Sequence, residues 1–347
     1  MSNRLLFITQ KVDLDDDVLG AYHRLIEKLA DRVEKLSIIC LYRGRVALPV
    51  NVSVYSLGKE DGQSRFKYLW RFYKYIWKLR RDYDSVFVHM NPEYIILGGF
   101  FWKLFRKKIF LWYNHPMGNW KARSAIILAN MVFHTSPFAF AARYKKAKIM
   151  PVGVDVNLFS RISEIKKIPN SILYLGRLSP IKHVDVLIGA AFILDQQGVD
   201  FKLTIAGEPS KKSEIAYADS LKEIAKPLIH NGKIIFISRV SNYEAPRLYN
   251  SHIISINMTP TGSLDKTIIE AMACENLVLV SNKALQQVLP PECFFQEKNS
   301  RDLADKLEVL FMSSKEKKSE WGRRFRQYVI NNHDSFKLVD QLLSSDN

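Results

Sequence analysis

The segment SILYLGRLSPIKHVDVLIGAA, residues 171–191, contains the pattern that decides the fold of this chain. Its first five residues form a short apolar run typical of a buried strand, and a turn with Gly176 and Pro180 follows. From about His183 the apolar residues recur at helical spacing. A buried strand, a short turn and a helix together make the unit from which parallel sheets with helices on both faces are built.

The same alternation repeats along most of the chain. Between helical stretches, short apolar runs predict strands at 5–9, 37–42, 52–57, 85–90, 109–113, 131–135, 171–175, 201–206, 233–238, 253–256 and 277–281. Residues 151–170 interrupt both periodicities with prolines, a glycine and a charge run. We therefore predict an α/β chain with two Rossmann-like doubly wound domains facing a cleft, at 1–155 and 156–320, followed by helical pieces in a tail at 321–347.

The composition excludes several classes of protein. A hydrophobic fraction of 47% with 25% charged residues is that of a folded chain rather than a disordered one. No apolar run approaches the length of about 18 residues that a membrane span needs, and the apolar start is too short for a signal peptide. We therefore expect a cytoplasmic protein. Cys40, Cys274 and Cys293 lack the spacing of metal ligands and adjoin apolar stretches, so we expect buried thiols.

The positive charge is concentrated in the first half. The net charge is +16, and residues 1–160 hold 26 Lys and Arg against 13 Asp and Glu, while the remainder holds 25 against 22. A one-sided positive field favours anionic partners such as nucleic acid, acidic lipid or phosphorylated substrates. No nucleic-acid-binding module is recognisable in the sequence, so we expect no nucleic-acid partner.

Two cations leave the turn after the strand at 171–175. Arg177 and Lys182 lie at the carboxyl end of that strand, where a parallel sheet binds its ligands. A guanidinium binds phosphate oxygens through two donors and an ammonium supplies a compact charge, so the pair suits a diphosphate. The alternative on this feature alone is two solvated loop cations.

A second segment, residues 252–281, predicts a strand, a Thr/Pro/Gly/Ser loop, a helix from about Asp265 and another strand. The free amides at the start of that helix make an anion site. Lys266 and Glu270 are four residues apart and share one helix face. They form either a surface ion pair or a site in which the carboxylate accepts hydrogen bonds from ribose hydroxyls, and spacing alone does not distinguish these alternatives.

These segments resemble the retaining glycosyltransferases of the large GT-B family of the family-4, or glycosyl transferases group 1, type, which includes glycogen, sucrose and lipopolysaccharide sugar transferases. The matching pieces, in the family's order and spacing, are PVGVDVNLF (151–159), GRLSPIKHVDVLIGAA (176–191), LTIAGEP (203–209), IIFISRVSNYEAPRLYNS (234–251) and SLDKTIIEAMACENLVLVS (263–281). The resemblance implies transfer of a sugar from a UDP- or GDP-linked donor to a hydroxyl acceptor, with retention of configuration and no required metal. It also implies that the terminal helices cross back to the first domain.

The resemblance assigns residues to this reaction. It implies that Arg177 and Lys182 neutralise the departing diphosphate, that Glu270 binds the donor ribose, and that Val240 lies where the backbone meets the nucleobase. The remaining donor-binding positions that it implies are Gly176, Gly262, Ser263, Leu264, Asp265, Lys266 and Thr267.

Two positions depart from the family pattern. Gly262 stands where the family usually has a glutamate in a loop that touches the sugar, and Glu275 stands where it often has glycine. The resemblance to a branch with the same Leu-Asp-Lys loop implies that Asp265 and Lys266 take over part of the lost sugar contact. The identity of the sugar is therefore left open, and a non-catalytic nucleotide-binding relative remains the alternative function.

In the acceptor half, His115 follows the strand at 109–113, at a carboxyl end where family members often carry a histidine. We predict that it binds the transferred sugar or the acceptor, with a structural role as the alternative. The acidic run at 13–17 follows the first strand and precedes a helix. We expect Asp16 or Asp17 to cap that helix and Asp15 to be able to contact the acceptor, rather than a metal-binding Asp-x-Asp pair.

Residues 65–81, RFKYLWRFYKYIWKLRR, predict an amphipathic helix. Its basic residues at helical spacing are Lys67, Arg71, Lys74, Lys78 and Arg81, and its apolar residues are Phe66, Leu69, Trp70, Tyr73, Ile76 and Trp77. We expect the aromatic face to pack on the sheet and the basic face to meet an anionic membrane surface, extended by Arg106, Lys107 and Lys108. The predicted acceptor is therefore a glycan or lipid-linked sugar, as in cell-surface polysaccharide or glycolipid synthesis.

Two other enzyme classes are disfavoured by the motifs. No Gly-x-Gly-x-x-Gly follows a strand, as a nicotinamide dehydrogenase would require, and no Gly-Lys-Ser/Thr sequence of a phosphate-loop NTPase occurs.

Overall fold

A computed structural model describes residues 4–15 and 20–345 of the chain. The chain divides into two compact units, of which the first comprises Met1–Gly153 with Ser335–Asn347 and the second Val154–Asp334. The boundary between the two units follows residue 153, two residues before the predicted boundary after residue 155. The returning segment begins at Ser335, whereas the sequence placed the start of the tail at residue 321.

The first unit contains a parallel sheet with helices between its strands. Its strands are β1 (Arg4–Val12), β2 (Lys35–Arg43), β3 (Val52–Ser56), β4 (Ser85–His89), β5 (Lys108–Trp112), β6 (Met131–His134) and β7 (Ala147–Ile149). Its first four helices are α1 (Gly20–Ala30), α2 (Arg65–Lys78), α3 (Pro92–Leu104) and α4 (Trp120–Leu128). The strand order is β3-β2-β1-β4-β5-β6-β7, so the order reverses between β1 and β4. The described ladders of this sheet are all parallel.

The second unit repeats this architecture with fewer strands. Its strands are β8 (Ser171–Leu175), β9 (Lys202–Ala206), β10 (Ile234–Ile237), β11 (Ile254–Asn257) and β12 (Leu277–Val280). Its helices are α5 (Val184–Gln196), α6 (Ile215–His230), α7 (Ala245–Ser251), α8 (Lys266–Ala273), α9 (Ser300–Met312) and α10 (Lys315–Asn332). The order β10-β9-β8-β11-β12 is again parallel and reverses between β8 and β11.

The predicted fold class is confirmed, because both units are doubly wound α/β units with parallel sheets. Each apolar run chosen from the sequence overlaps a strand. The short strand β7 was missed because its three residues, Ala-Lys-Ile, make no continuous apolar run. The three cysteines lie buried, as expected, and burial raises the pKa of the Cys40 thiol to about 12.

The two terminal helices belong to different units. Helix α10 packs on α8, where Gly322 fits against the carbonyl of Glu275 and Arg326 donates to the carbonyls of Ala273 and Phe159 at 2.5 and 2.9 Å. The last helix, α11 (Ser335–Ser344), packs on α1 of the first unit through Leu338, Val339 and Leu342.

Helix α2 packs through only part of the face predicted from the sequence. Phe72 and Ile76 are buried, whereas Phe66, Trp70 and Trp77 expose 86, 63 and 55% of their surfaces. At about 100° per residue, the exposed aromatic stripe lies roughly 120° around the helix from the buried one. The predicted aromatic face is therefore confirmed only in part: Ile76 and Tyr73 pack on the core, together with Phe72 and Leu79, whereas its other members are exposed.

A close backbone contact shapes the second unit at the carboxyl ends of β8 and β9. Gly207 has a φ of +143°, and a Cβ atom at this position would stand 1.9 Å from the carbonyl oxygen of Gly176. The Gly176 amide donates to the carbonyl of Ala206 at 3.0 Å, which holds the two loops together. Glycine at position 207 is therefore required for this approach.

We expect Gly207→Ala to lower the free energy of unfolding by about 3 kcal/mol or more, since the new methyl group meets backbone that has to shift. Urea unfolding measures this loss. The matched control is Gly198→Ala, where φ is +73° but no atom lies within 4 Å of the added methyl group. Its cost should be only the left-handed strain of about 1–2 kcal/mol. Equal losses in the two variants would contradict the assigned contact.

Candidate functional site

The candidate site lies where the strand order of the second unit reverses. Loops that leave the carboxyl ends of the adjacent strands β8 and β11 come together there. Open parallel sheets bind ligands at this topological switch point because neighbouring loops diverge and leave a crevice. The first loop carries Gly176, Arg177 and Lys182, and the second leads from Asn257 into the start of α8.

Arg177 and Lys182 stand in different environments. The Arg177 side chain is exposed, and its Nη1 donates to Ser210 Oγ at 3.4 Å. The Tyr174 hydroxyl donates to the Arg177 carbonyl at 2.8 Å and thereby fixes the backbone of this turn. Lys182 ends a short 3-10 turn, and only 16% of its side chain is exposed. The two cations thus extend from one loop, one into solvent and the other into a polar cluster.

That polar cluster is organised around the Asp265 carboxylate. The Lys182 ammonium forms an ion pair with Asp265 Oδ2 and donates to Thr259 Oγ1 at 2.8 Å. Thr259 Oγ1 and Asn257 Nδ2 donate to the same Oδ2 atom at 2.9 and 3.1 Å. Asn257 Nδ2 also reaches Thr267 Oγ1 at 3.1 Å. The cluster therefore joins the turn after β8 to the end of β11 and the start of α8.

The charges in this cluster stabilise one another. Burial by itself would raise the pKa of the Asp265 carboxyl group. The Lys182 charge and the hydrogen bonds from Lys182, Asn257 and Thr259 outweigh it and lower the pKa of Asp265 well below its usual value. Asp265 is consequently an anion at neutral pH.

The start of α8 presents the positive end of a helix dipole and lacks a side-chain cap. Asp265 occupies the N-cap position, yet its side chain makes no capping hydrogen bond because it is turned toward Lys182. The first amides of a helix have no partner within the helix, and the helix dipole adds positive potential there. The start of α8 is therefore a position that favours an anion.

Hydrogen bonds from a side chain after β12 hold the loop before α8 in place. The Asn282 amide group donates to the carbonyls of Pro260 and Ser263 at 3.2 and 2.8 Å. The side chain of Leu264 is buried, and Gly262 is buried without a side chain to offer. These contacts fix the backbone that the sequence predicted to face the sugar.

Glu270 lies one turn further along α8 and is only 5% exposed. The Tyr249 hydroxyl donates to its Oε2 at 3.3 Å and Asn242 Nδ2 lies 3.5 Å from its Oε1. Burial raises the pKa of Glu270 to about 7, although the positive charge of Lys266 acts in the opposite direction. Because Asn242 follows the half-buried Val240 by two residues, the structure brings the Val240 loop to Glu270.

The predicted residues of the first unit lie at the carboxyl ends of its own strands. His115 follows β5 and is exposed, with its Nδ1 at 2.9 Å from the Met117 carbonyl oxygen and at 3.1 Å from the Met117 nitrogen. Asp15 forms an ion pair with Arg45 at 2.5 Å. Asp16 and Asp17, the predicted helix cap, lie outside the described residues.

Several residues of the site were not singled out in the sequence. They are Asn242, Tyr249, Asn257 and Thr259. Asn257 carried a signal that could have been used, since a polar residue ending an apolar strand at a switch point has few structural reasons to be there. Tyr249 gave no such signal, because a tyrosine on an amphipathic helix is usually part of the hydrophobic core. Within residues 4–15 and 20–345, no helix is long and apolar enough to cross a membrane.

The raised pKa of Glu270 predicts how stability depends on pH without ligand. The folded state binds this proton more tightly than the unfolded state, whose pKa is near 4.5. The contribution of Glu270 to the free energy of unfolding is therefore greatest below about pH 4.5. It falls by about 3 kcal/mol as the pH rises to about 7. We expect Glu270→Gln to remove this loss, as measured by urea unfolding across the window.

The comparison between variants isolates Glu270 from other titrating groups. The control is Glu244→Gln, because hydrogen bonds from Ser241 lower the pKa of the exposed Glu244 below 4.5. That variant should keep the wild-type slope above about pH 5. A Glu270→Gln protein with the same slope as the wild type would contradict the assignment.

Known proteins share both the sequence pattern and the fold. The family model described as glycosyl transferases group 1 matches residues 155–328, which is half of the chain. The mannosylfructose-phosphate synthase of Agrobacterium fabrum is 27% identical over 165 residues, or 42% of this chain. The match spans 36% of that relative's length.

Solved structures resemble the whole chain. HepE from Anabaena, solved in complex with UDP, superposes with a TM-score of 0.79 at 15% identity over 99% of each chain. Sucrose-phosphate synthase from Thermosynechococcus elongatus gives a TM-score of 0.79 at 15% identity over 98% of this chain and 97% of the other. At such identities the likeness shows the fold, two Rossmann-like units of the GT-B type. The family match, over half of the chain, shows that this chain belongs to the glycosyl transferases group 1 family.

Proposed function

We propose that the chain transfers a sugar from a UDP- or GDP-linked donor to a hydroxyl group, with retention of the anomeric configuration. The observation that carries this proposal is the uncapped start of α8 beside the Lys182 ammonium, with Arg177 on the same loop as Lys182. Amide donors and two cations at one switch point suit a diphosphate. HepE has been solved in complex with UDP and with UDP-glucose, which agrees with this donor class.

The proposed catalysis stabilises the leaving group. The bond between the anomeric carbon and the diphosphate oxygen breaks, and the acceptor oxygen bonds to that carbon on the same face. The hydroxyl proton passes to the departing diphosphate. Negative charge grows on the diphosphate in this step, and Lys182, Arg177 and the positive end of the α8 helix dipole would stabilise it. No metal ion is required by this arrangement of charges.

Glu270 is the proposed ligand of the donor ribose. A carboxylate accepts hydrogen bonds from two neighbouring hydroxyl groups, and this one is buried close to the loop that carries Val240. A bound ribose would replace the missing solvation and favour the ionised form of Glu270. Nucleotide binding below pH 7 would then release a proton.

The proposed acceptor is a glycan or lipid-linked sugar, used in cell-surface polysaccharide or glycolipid synthesis at the cytoplasmic face of the membrane. His115, exposed at a carboxyl end of the first sheet, is the proposed contact to the transferred sugar or to the acceptor. The membrane part of this proposal rests on an exposed surface of α2 and α3, which we call the aromatic-basic surface. Its members are Phe66, Lys67, Trp70, Lys74, Trp77, Lys78, Arg81, Phe100, Lys103, Leu104 and Arg106.

The aromatic-basic surface combines two features that suit an anionic bilayer. Tyr73, Ile76, Trp77, Phe101 and Phe105 line a groove of about 300 Å³ between the two helices. Exposed tryptophans beside lysines suit the interface, where aromatic rings sit at headgroup level and ammonium groups meet lipid phosphates. Monomeric soluble proteins rarely leave such a patch open without a partner.

One residue of the predicted basic patch is turned inward. Lys107 donates to the carbonyl of Tyr83 at 2.5 Å, and burial lowers the pKa of Lys107. The proposed membrane contact therefore uses Arg106 but not Lys107.

Turnover of nucleotide sugars tests the donor site. We expect UDP or GDP at about 100 times its dissociation constant to add about 2.7 kcal/mol of stability, and Lys182→Ala or Glu270→Ala to reduce turnover about 10²- to 10³-fold. Thermal unfolding and a product assay measure the two effects. The control is Lys226→Ala, an exposed lysine paired with Glu223 on α6, which should retain wild-type turnover. Activity abolished by EDTA and restored by magnesium or manganese would contradict the metal-free mechanism.

Co-sedimentation with vesicles tests the aromatic-basic surface. We expect stronger binding to vesicles with acidic lipid than to neutral ones. The double variant Lys74→Glu and Lys78→Glu should lose about 1 kcal/mol or more of binding free energy per substituted residue. The double variant Trp70→Ala and Trp77→Ala should weaken the part of the binding that persists at high salt. Salt screens the attraction between charges but not the free energy gained by burying aromatic surface.

The charge-matched control carries Lys222→Glu and Lys315→Glu, two exposed lysines of the second unit. This protein has the same net charge as the lysine variant of α2 and should bind vesicles as the wild type does. Equal binding to acidic and neutral vesicles, or equal weakening in the control, would contradict the proposed surface.

A further inference from the structure

The groove between α2 and α3 is built from two matched pairs of aromatic rings. Tyr73 and Trp77 are four residues apart near the end of α2, and Phe101 and Phe105 are four apart at the end of α3. The ring centroids of Tyr73 and Phe101 are 5.6 Å apart, and those of Trp77 and Phe105 are 5.8 Å apart. The two pairs therefore join the helices one turn apart. Ile76 also lines the groove and is only 2% exposed, so it forms the floor.

The size and lining of the groove suit a single hydrocarbon chain. Its volume is about 300 Å³. A water molecule takes about 30 Å³ in the liquid and a methylene group nearly as much, so the groove has room for roughly ten methylene groups. The Tyr73 hydroxyl donates to the carbonyl of Leu97 at 3.2 Å, so this polar group of the lining is already engaged within the protein. Burial of a chain against these rings is favourable because it removes apolar surface from water.

Cations stand at the end of the groove. Residues 65–81 and 94–108 together contain eleven Lys and Arg and no acidic residue. The Arg80 guanidinium lies 4.6 Å from the centroid of the Trp77 ring and donates to the Trp77 carbonyl at 2.8 Å, which fixes it beside the groove. Arg106 follows the last residue that lines the groove and is exposed. A guanidinium has five N–H donors and suits phosphate, so the groove matches a hydrocarbon chain that carries a phosphate.

The position of the groove distinguishes its occupant from the acceptor. Phe105 lies three residues before β5 begins, whereas His115 lies three residues after β5 ends. The five residues of this strand span about 16 Å. The groove is therefore near the edge of the sheet opposite to the proposed acceptor contact. A lipid held there anchors the protein and leaves the acceptor contact open.

We propose that the groove between α2 and α3 binds one acyl chain of an anionic phospholipid of the bilayer, with the lipid phosphate at Arg80 and Arg106. This inference rests on the membrane contact in the proposed function. It goes beyond that contact, because the aromatic-basic surface needs only headgroups, whereas the groove takes up a single chain. Binding then depends on the length of the chain as well as on charge.

Monomeric alkyl phosphates test the groove without a bilayer. The full-length protein is titrated by calorimetry with alkyl phosphates of about six to fourteen carbons, each below its micelle concentration. We expect the affinity to rise about 4-fold per methylene group up to about ten carbons and then to level off, because the groove is filled. A decyl trimethylammonium ion, with the same chain as decyl phosphate and the opposite charge, should bind at least about 10-fold more weakly. An affinity that rises along the whole series, or equal binding of the two headgroups, would overturn the inference.

Wall variants locate the chain. We expect Trp77→Ala and Phe105→Ala each to weaken decyl phosphate about 10-fold or more, since each removes one ring of a pair. The matched controls are Trp70→Ala on α2 and Phe100→Ala on α3, which remove aromatic rings that are 63 and 71% exposed and do not line the groove. The controls should keep the wild-type affinity, although Trp70 belongs to the aromatic-basic surface. Equal weakening in wall variants and controls would place the chain elsewhere.

Charge variants locate the phosphate. The double variant Arg80→Gln and Arg106→Gln should weaken decyl phosphate about 10- to 100-fold, the size of hydrogen bonds to a charged group. It should bind monomeric decanol, which has the same chain and no charge, as the wild type does. Unchanged binding of decyl phosphate would contradict the assigned phosphate position.

The outcomes separate the inference from the proposed function. If alkyl phosphates do not bind while acidic vesicles are still preferred over neutral ones, the inference is overturned and the aromatic-basic surface stands. If neither alkyl phosphates nor acidic vesicles bind, the membrane part of the proposed function fails together with the inference. Turnover of nucleotide sugars tests the donor site independently in either case.

Discussion

The parallel pairing of β8 with β9 on one side and β11 on the other is the constraint on which the proposed donor site depends. Parallel strands send all their carboxyl ends to one edge, so loops far apart in sequence become neighbours there. Lys182 and Asp265 are 83 residues apart, yet they form an ion pair because β8 and β11 are adjacent. Gly207 allows the third loop to lie against Gly176 at the same edge.

Charge in this site is balanced before any donor binds. Burial of a carboxylate costs free energy unless it is paired, and Asp265 is paired with Lys182 and two further donors. Glu270 is buried with two weak neutral partners, so its pKa rises instead. Asp265, at the N-cap of α8, is thus held ionised, whereas Glu270 is partly protonated at pH 7. Both contain unused capacity for hydroxyl groups, which is the chemistry that a nucleotide sugar presents.

The first unit shows where sequence periodicity misleads. Helix α2 has two apolar stripes, and the hydrophobic pattern does not show which of them is buried. Phe72 and Ile76 pack in one core cluster with Tyr83, Trp102 and residues of the strands. The stripe with Trp70 and Trp77 is left at the surface next to the lysines. Similarly, the sequence predicts Lys107 to be a surface charge, whereas its ammonium group donates to the carbonyl of Tyr83.

The sequence by itself determined the fold class, nearly all the strands, and the two segments at 171–191 and 252–281 that form the proposed donor site. These features are local: apolar runs, turns and helical spacing act over a few residues, and their order along the chain is enough to predict parallel sheets. Only the tertiary structure decided that Lys182 pairs with Asp265, that Tyr249 and Asn242 meet Glu270, and which face of α2 is buried. These features depend on the order of the strands in the sheet and on the packing of the core. Neither can be predicted from the spacing of residues along a short segment.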